Sequence, residues 1–385
     1  MKRELIVFGE DWASLPSSTQ HLISHISKQR TVVWINSIGL RKPQLNAYDM
    51  LRVIKKLYNS TARFLFSGKK NKNRQQAKVS SDKLFVYNLL SLPAPRYAWE
   101  RFIAKKLLSA QIKSLIARHK LNHFALWSSL PTASDLIDEF PTTPFIYYCC
   151  DDFTGLAGVD HRCAKIHEKK LAKEADLILA TSQRLKERFT HSHCHYLTHG
   201  VDYELFSKPT AAAQQLPSNG RPTAGFYGSI ASWLDLSLLE EVICELSDWN
   251  FVFIGSEAID VSHIKKLKNT YFLGPIEHSK LPSFSQHWQV SLLPFKDNAQ
   301  IQSCNPLKLK EYLASGTPIV STPFPSACAY QDQITLVNNA KDMCRAIKRS
   351  HQHAAPSAKT QRQDLVKKES WLTKSKQVEY WIDAL

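Results

Sequence analysis

No stretch of this chain stays apolar long enough to cross a bilayer. The longest runs, such as Phe145 to Cys150 and Leu177 to Ala180, fall far short of the roughly 20 residues a membrane helix needs. After Met1-Lys2-Arg3-Glu4, the run Leu5-Ile6-Val7-Phe8 is cut off by Gly9-Glu10-Asp11, too early for a signal-peptide core, so the expected compartment is the cytoplasm. C-x-x-C pairs are missing: Cys149, Cys150, Cys163, Cys194, Cys244, Cys304, Cys328 and Cys344 are scattered and read as reduced, partly buried thiols. There is no G-x-x-x-x-G-K-[ST] phosphate loop and no G-x-S-x-G nucleophile elbow, which removes P-loop nucleotide hydrolysis and serine-hydrolase chemistry of that kind. His191-Ser192-His193-Cys194-His195 alternates ligand types without a second pair at a recognisable spacing, so no metal is expected. Internal repeats and low-complexity tracts are also lacking.

Acidic charge is the other shortage. Lys and Arg number 50 against 34 Asp and Glu, a formal net charge of +16 that favours an anionic partner: nucleic acid, an anionic membrane surface or a phosphorylated substrate. Most of the excess lies in residues 41–83, where 12 basic side chains face only Asp49 and Asp82. Met50, Leu51, Ile54, Leu57 and Tyr58 recur there at helical spacing, and Phe64-Leu65-Phe66 adds apolar bulk. Such a basic amphipathic surface suits an anionic bilayer, at about 1 kcal/mol per basic residue near the surface. The bland alternative is a solvated insertion.

What is present is a βα rhythm, repeated twice. Leu5-Ile6-Val7-Phe8, a helix over 16–28 and Val32-Val33-Trp34-Ile35-Asn36 form a first βαβ unit, with Gly9-Glu10-Asp11-Trp12 as either a substrate-facing loop or an aromatic turn. Further strands are expected at 84–87, 124–127, 145–150, 177–181 and 196–197, and helices over 97–120, 133–139, 162–174 and 182–189. Pro209, Ala211-Ala212-Ala213, Pro217, Asn219-Gly220 and Pro222 make 207–222 the best linker. The pattern then restarts with strands at 224–227, 251–254, 271–273 and 290–294, helices over 236–245 and 261–268, and a terminal amphipathic helix in 369–385. The expected fold class is α/β, as two Rossmann-like, doubly wound domains of residues 1–205 and 206–368.

The richest stretch is 304–321. Pro306 opens a helix, Leu307, Leu309, Tyr312 and Leu313 supply its apolar positions, Gly316 stops it before Pro318, and Ile319-Val320-Ser321 is a buried strand. Its first turn carries Lys308, with Glu311 one turn on. Free backbone N–H groups, a lysine and a carboxylate at the carboxyl edge of an α/β sheet suit a nucleotide sugar. Gly228-Ser229-Ile230 follows a strand and precedes a helix, so its backbone can approach a diphosphate with no Cβ in the way; a structural tight turn is the competing account. Asp151 and Asp152 end a buried strand, as a catalytic base or as a loop anchor.

In this order and spacing, Tyr147 through Asp152, Ala180-Thr181-Ser182 with His199-Gly200-Val201-Asp202, Gly225 through Ile230, and Pro306 through Pro318 resemble the GT-B glycosyltransferases. The likeness covers nearly the whole chain and is nearest to the group that includes family 4 enzymes, with some likeness to exopolysaccharide glucuronosyltransferases. It implies two domains facing across a cleft, the carboxyl-terminal one holding the nucleotide sugar, and a last helix crossing back to the first domain. It further implies that Glu311 holds the ribose hydroxyls, Lys308 neutralises the diphosphate, Leu273-Gly274-Pro275-Ile276 reads the base, and His199 lies near the donor. Gly228, Ser229, Ile276 and Asn305 complete the expected donor set, and Asp151 deprotonates the acceptor hydroxyl. No metal or other cofactor is implied. Family 4 enzymes often carry a second glutamate where this chain has Ser303, so inverting and retaining courses both stay open.

The expected function is sugar transfer from a nucleoside diphosphate sugar to a saccharide acceptor, lipid-linked, in cell-surface polysaccharide or glycolipid synthesis, by a protein peripheral on the inner face of the plasma membrane. Two other readings remain: a basic nucleic-acid- or membrane-binding protein, and an inactive glycosyltransferase-like partner. Charge clustered in one segment and the Lys308 and Glu311 pair argue against specific nucleic-acid binding.

Overall fold

The computed structural model describes residues 2–12, 17–39, 81–156, 159–190, 193–352 and 356–385. The basic stretch 41–83 therefore lies outside the described residues up to position 80, as do His191 and Ser192. Two compact units form: Met1–Thr198 with Lys374–Leu385, and His199–Thr373.

The first unit is built on seven strands: β1 (Glu4–Phe8), β2 (Val32–Ile35), β3 (Leu84–Tyr87), β4 (Phe124–Ser128), β5 (Phe145–Cys149), β6 (Leu177–Ala180) and β7 (Cys194–Tyr196). Their order is β3-β2-β1-β4-β5-β6-β7, every neighbour parallel. A parallel sheet is covered on both faces and needs unbroken apolar strands; Leu5, Ile6, Val7, Val32, Val33, Trp34 and Tyr147 are accordingly buried. The order reverses between β1 and β4, so the loops leaving β1 and β4 diverge and open a crevice at their carboxyl ends. Covering helices include α1 (Ser18–Ile26), α2 (Ala98–His119) and α3 (His161–Glu174). Ser17 caps α1 by accepting from Gln20 N, Asp160 caps α3 by accepting from Cys163 N, and Lys120 ends α2 in the left-handed region at φ 52°. Where a helix over 133–139 is expected, a 3-10 helix runs from Pro131 to Glu139, and the helix expected over 182–189 shortens to Gln183–Lys186.

The second unit repeats the plan with β8 (Thr223–Tyr227), β9 (Asn250–Ile254), β10 (Thr270–Phe272), β11 (Val290–Leu293), β12 (Ile319–Ser321) and β13 (Thr335–Leu336), ordered β10-β9-β8-β11-β12-β13. Its longer helices are α4 (Leu236–Glu245), α5 (Leu307–Ser315), α6 (Ala340–Gln352) and α7 (Pro356–Lys367). The reversal here falls between β8 and β11. Pro306 is the extended N-cap of α5 rather than a first-turn residue, and Gly316 closes it at φ 76° with its N–H shared between the Tyr312 and Leu313 carbonyls, both at 3.0 Å. The loop 207–222 has a linker's composition but is tied down within this unit: Ala213 N donates to Ser283 O at 2.9 Å, and Gln286 Nε2 donates to Phe206 O at 2.7 Å and Lys208 O at 2.9 Å.

The chain ends in α8 (Trp371–Asp383). Within the first unit, buried Arg30 donates to Glu379 at 3.2 Å and Asp383 at 2.9 Å, and Trp381 stacks on His195 with ring centres 4.5 Å apart. A buried guanidinium with two carboxylates and the Arg3 carbonyl at 3.0 Å fixes this helix's register more than it adds stability.

Candidate active site

In the second unit the site residues gather at the β8/β11 reversal. The chain leaves β8 at Gly228, whose φ of +126° is open to glycine and strained for other residues, and whose N–H donates to Ile254 O at 2.8 Å. A Cβ at Gly228 would stand 2.5 Å from Lys308 Nζ. Gly255 supports the turn from behind, since its own Cβ would fall 2.0 Å from Gly228 O. Lys308 comes from the first turn of α5, and its ammonium lies 4.8 Å from the centre of the Phe226 ring and 5.5 Å from that of Phe295. Burial pushes its pKa down to about 8, only partly opposed by Glu311 and Cys304. No carboxylate among the described residues lies within 4.0 Å of that ammonium. A desolvated cation with aromatic faces, a bare glycine backbone and a helix N-terminus beside it is unbalanced until an anion arrives.

One turn further along α5, Glu311 is 7% exposed and held at both oxygens. Tyr227 OH donates to Oε2 at 2.8 Å and His278 Nε2 meets Oε1 at 2.7 Å. Burial opposes protonation of His278, but the Glu311 hydrogen bond and the charges of Glu311 and Asp202 outweigh it and raise the imidazole pKa above its ordinary value. The carboxylate is thus oriented, with acceptor sites left over for a diol. Tyr312, whose hydroxyl accepts from Tyr227 N at 3.0 Å, packs edge-on against Tyr227 and locks the β8 end to α5. Neither Tyr227 nor His278 stands out in the sequence; their only signal is adjacency to Gly228 and to the Gly274-Pro275-Ile276 loop.

Gly228, Lys308 and Glu311 are therefore brought together, with Ser229 next in the turn. Ile276 is half-buried against the unit's core, and Asn305 is buried just before α5. Ser303 ends the short helix Ala299–Ser303, 1% exposed, its hydroxyl without a hydrogen-bond partner among the described residues. His199 sits differently: its carbonyl accepts Lys310 Nζ at 2.5 Å and its ring lies 6.3 Å from that of Trp371. Lys310 is two residues, about 200° of helix, from Lys308, so these contacts run along the other side of α5.

In the first unit, Glu10 follows β1 and Asp151 follows β5. The adjacent aspartates differ in kind. Asp152 accepts from Thr154 N at 3.0 Å and pairs with Arg188 at 2.7 Å; burial works against its charge, but these contacts prevail and hold its pKa below the usual value. Arg188 in turn pairs with Glu168, which also accepts from Tyr147 OH at 3.1 Å. Asp151 has no such support among the described residues: burial, then the charges of Glu10 and Asp152, raise its pKa to about 6. Glu10 is raised too, chiefly by burial, although Ser17 Oγ donates to it at 2.9 Å. A carboxylate poised near neutrality and without a fixed side-chain partner among the described residues fits a general base; Asp152 fits an anchor. In the loop after β1, Trp12 packs edge-on to Trp34 at 4.8 Å and Asp11 accepts from Ser37 N at 3.1 Å, so aromatic turn and acidic site coexist there.

Residues 221–353 match the family model for Glycosyl transferases group 1. A protein of Bacillus subtilis (strain 168), assigned to teichuronic acid biosynthesis as the glycosyltransferase TuaH, is 28% identical over 226 residues, 54% of this chain and 57% of the relative. The match thus spans a little over half the relative's length. HepE of Anabaena, solved with UDP-glucose, superposes with a TM-score of 0.68 at 11% identity, covering 99% of this chain and 100% of its own. Sucrose-phosphate synthase of Thermosynechococcus elongatus gives 0.70 at 13% identity, covering 100% and 99%. At such identities the two structures speak for the fold alone. Together the findings support a GT-B fold for the chain and a Glycosyl transferases group 1 domain over residues 221–353, within the second unit.

Proposed function

We propose that this protein transfers a sugar from a nucleoside diphosphate sugar to a saccharide acceptor, lipid-linked, during synthesis of a cell-surface polysaccharide or glycolipid. The observation that carries the reading is Lys308: a half-buried ammonium with no carboxylate partner among the described residues, held against a glycine turn that leaves room for phosphates. In this reading Lys308, the Gly228 turn and the first turn of α5 take the diphosphate, Glu311 takes the ribose hydroxyls, and Ile276 borders the base. The acceptor oxygen forms a bond to the anomeric carbon, its proton passes to Asp151, and the bond from that carbon to the diphosphate oxygen breaks, the charge left behind being met by Lys308. Direct attack of this kind inverts the anomeric centre. The UDP complexes of HepE and the teichuronic acid assignment of TuaH favour a uridine donor and a polysaccharide product.

Protein side chains carry the diphosphate charge here, so we propose that no metal takes part and that transfer persists in EDTA. We further propose a cytoplasmic location against the inner membrane face. The test is thermal stabilisation by a panel of UDP-, GDP- and dTDP-sugars, since a ligand that binds only the folded state raises its melting temperature by mass action. Stabilisation by one base class, followed by transfer to a saccharide acceptor, is expected; no shift with any donor refutes the reading. Stabilisation without transfer or hydrolysis would instead favour an inactive partner.

A further inference from the structure

A cavity lies at the opposite edge of the second unit's sheet from Lys308. Strands β8, β11, β12 and β13 run parallel, and the candidate donor residues gather at the carboxyl ends. Ile319 and Thr335 are the first residues of β12 and β13, and with Pro318 they border a cavity of about 220 Å³ at the amino ends. Ala346, Arg349 and Ser350 close it from one face of α6, at spacings of three and four, and Ala358 and Arg362 close it from one face of α7. Gln333, just before β13, completes the wall, and no acidic residue lines it.

Two guanidinium groups set the sign of this cavity. Arg362 is 8% exposed, and its Nε and Nη2 donate to the Gly316 carbonyl at 3.0 and 2.9 Å. A carbonyl carries no net charge, and it takes only two of the five N–H groups a guanidinium offers. No carboxylate among the described residues lies within 4.0 Å of Arg362 or of the exposed Arg349. Burial pushes the Arg362 pKa below its ordinary value, with no opposing charge to restore it. A buried cation is normally paired, so this one is short of an anion. The surroundings are of the same sign: α6 and α7 carry seven Lys and Arg against Asp342 and Asp364. The last turn of α6 at Ser350 and the first turn of α7 at Ala358 bring opposite dipole ends to the wall, which offset and leave the arginines to decide.

We propose that this cavity binds a small phosphate dianion, with Arg362 and Arg349 pairing with its oxygens and the Ser350 and Thr335 hydroxyls donating further hydrogen bonds. Arginine's planar fork matches phosphate oxygens, and the Gly316 carbonyl holds the Arg362 fork in place beforehand, which reduces the ordering cost of binding. The volume suits free phosphate or the phosphate monoester of a small polyol, and lies below the roughly 300–1,000 Å³ of sites that enclose drug-sized ligands. A whole nucleotide sugar is therefore not the occupant. The carbon end of a monoester would rest on Ile319, Ala346 and Ala358. This site stands apart from Lys308 and does not depend on the donor reading.

The test is titration calorimetry of the full chain with inorganic phosphate and with glycerol 3-phosphate, at an ionic strength held constant with chloride. The variants are Arg349→Gln, Arg362→Lys and Lys308→Gln. Arg349 is exposed and unpaired, so Arg349→Gln should melt as the native protein does in phosphate-free buffer, and it decides alone if loss of the Gly316 contact unfolds Arg362→Lys. Saturable binding to the native protein is expected, roughly tenfold or more weakened in each arginine variant and retained in Lys308→Gln, as loss of a charged hydrogen-bonding partner implies. Tighter binding of glycerol 3-phosphate assigns the site to a monoester, and tighter binding of inorganic phosphate to the free ion; either supports the inference. No saturable heat with either probe, or native affinity in the folded arginine variants, overturns it. So does complete loss of binding in Lys308→Gln, which would put the phosphate in the donor site instead.

Discussion

If Asp151 is the base and Lys308 the diphosphate cation, kcat/KM for the donor must follow a bell in pH. The rising limb belongs to Asp151, raised to about 6, which works only when ionised. The falling limb belongs to Lys308, lowered to about 8, which works only when protonated. At pH 7 each group is about 90% in its working form, and about 80% of free enzyme has both. One pH unit below 6 the base is about 9% ionised, and one unit above 8 the lysine is about 9% charged, so kcat/KM falls roughly tenfold at each extreme. Initial rates at limiting donor from pH 5 to 9 read this directly. Lys308→Arg should remove the alkaline limb, because a guanidinium does not titrate there, and Asp151→Asn should remove most turnover while sparing donor binding. A profile flat across this range, or an acid limb near 4, means the carboxylate lacks the environment described. Native turnover in Asp151→Asn removes that residue from the chemistry.

Three further outcomes follow from the same contacts. Asp151 has a folded pKa above its unfolded one, so its burden on stability is absent below the unfolded value, grows as pH rises to about 6, and stays constant above. Asp151→Asn should therefore raise the melting temperature at pH 7, by an amount equivalent to no more than about 3 kcal/mol, and leave it unchanged near pH 3, as calorimetry at both pH values would show. Gly228→Ala forces a Cβ within 2.5 Å of Lys308 Nζ at a φ of +126°; titration calorimetry with the nucleoside diphosphate should show affinity reduced roughly tenfold or more as the amine is displaced. Glu311→Gln should raise donor KM by roughly ten- to a hundredfold through weaker hydrogen bonds to the ribose. In the same variant the His278 imidazole should titrate at lower pH by NMR, because the carboxylate that raises it is gone.

Much of this arrangement was legible in the chain because parallel strands advertise themselves. Val290–Leu293 and Leu236–Glu245 fall within a residue of where the pattern puts them, since a strand buried on both faces and a helix with one apolar side leave plain patterns. Gly316 was legible for a local reason: a helix followed at once by Thr317-Pro318 needs a left-handed residue to end it. The stretch 207–222 misled, because Pro, Ala and Gly report backbone preference and carry no information on whether Gln286 or Ser283 will hold the chain. His278 was silent for a similar reason. Its role rests on a 2.7 Å approach to a residue 33 positions away, and nothing local encodes that.

The two sheets share a strand order, yet the residues beyond their switch points have opposite charge. After β1 and β5 stand Glu10 and Asp151, both raised by burial and so reluctant to hold a negative charge. After β8 and at the start of α5 stands Lys308, lowered by burial and reluctant to hold a positive one. Each is relieved by a different event: a carboxylate by taking a proton, an ammonium by meeting an anion. Sugar transfer from a diphosphate produces both, since the acceptor hydroxyl releases a proton as the leaving group gains charge. In the proposed reaction, reversing either sign would leave one of the two products unmet. In the proposed reaction Asp152 is the weaker candidate for the base, because, against the opposing effect of burial, its Thr154 and Arg188 contacts lower its proton affinity.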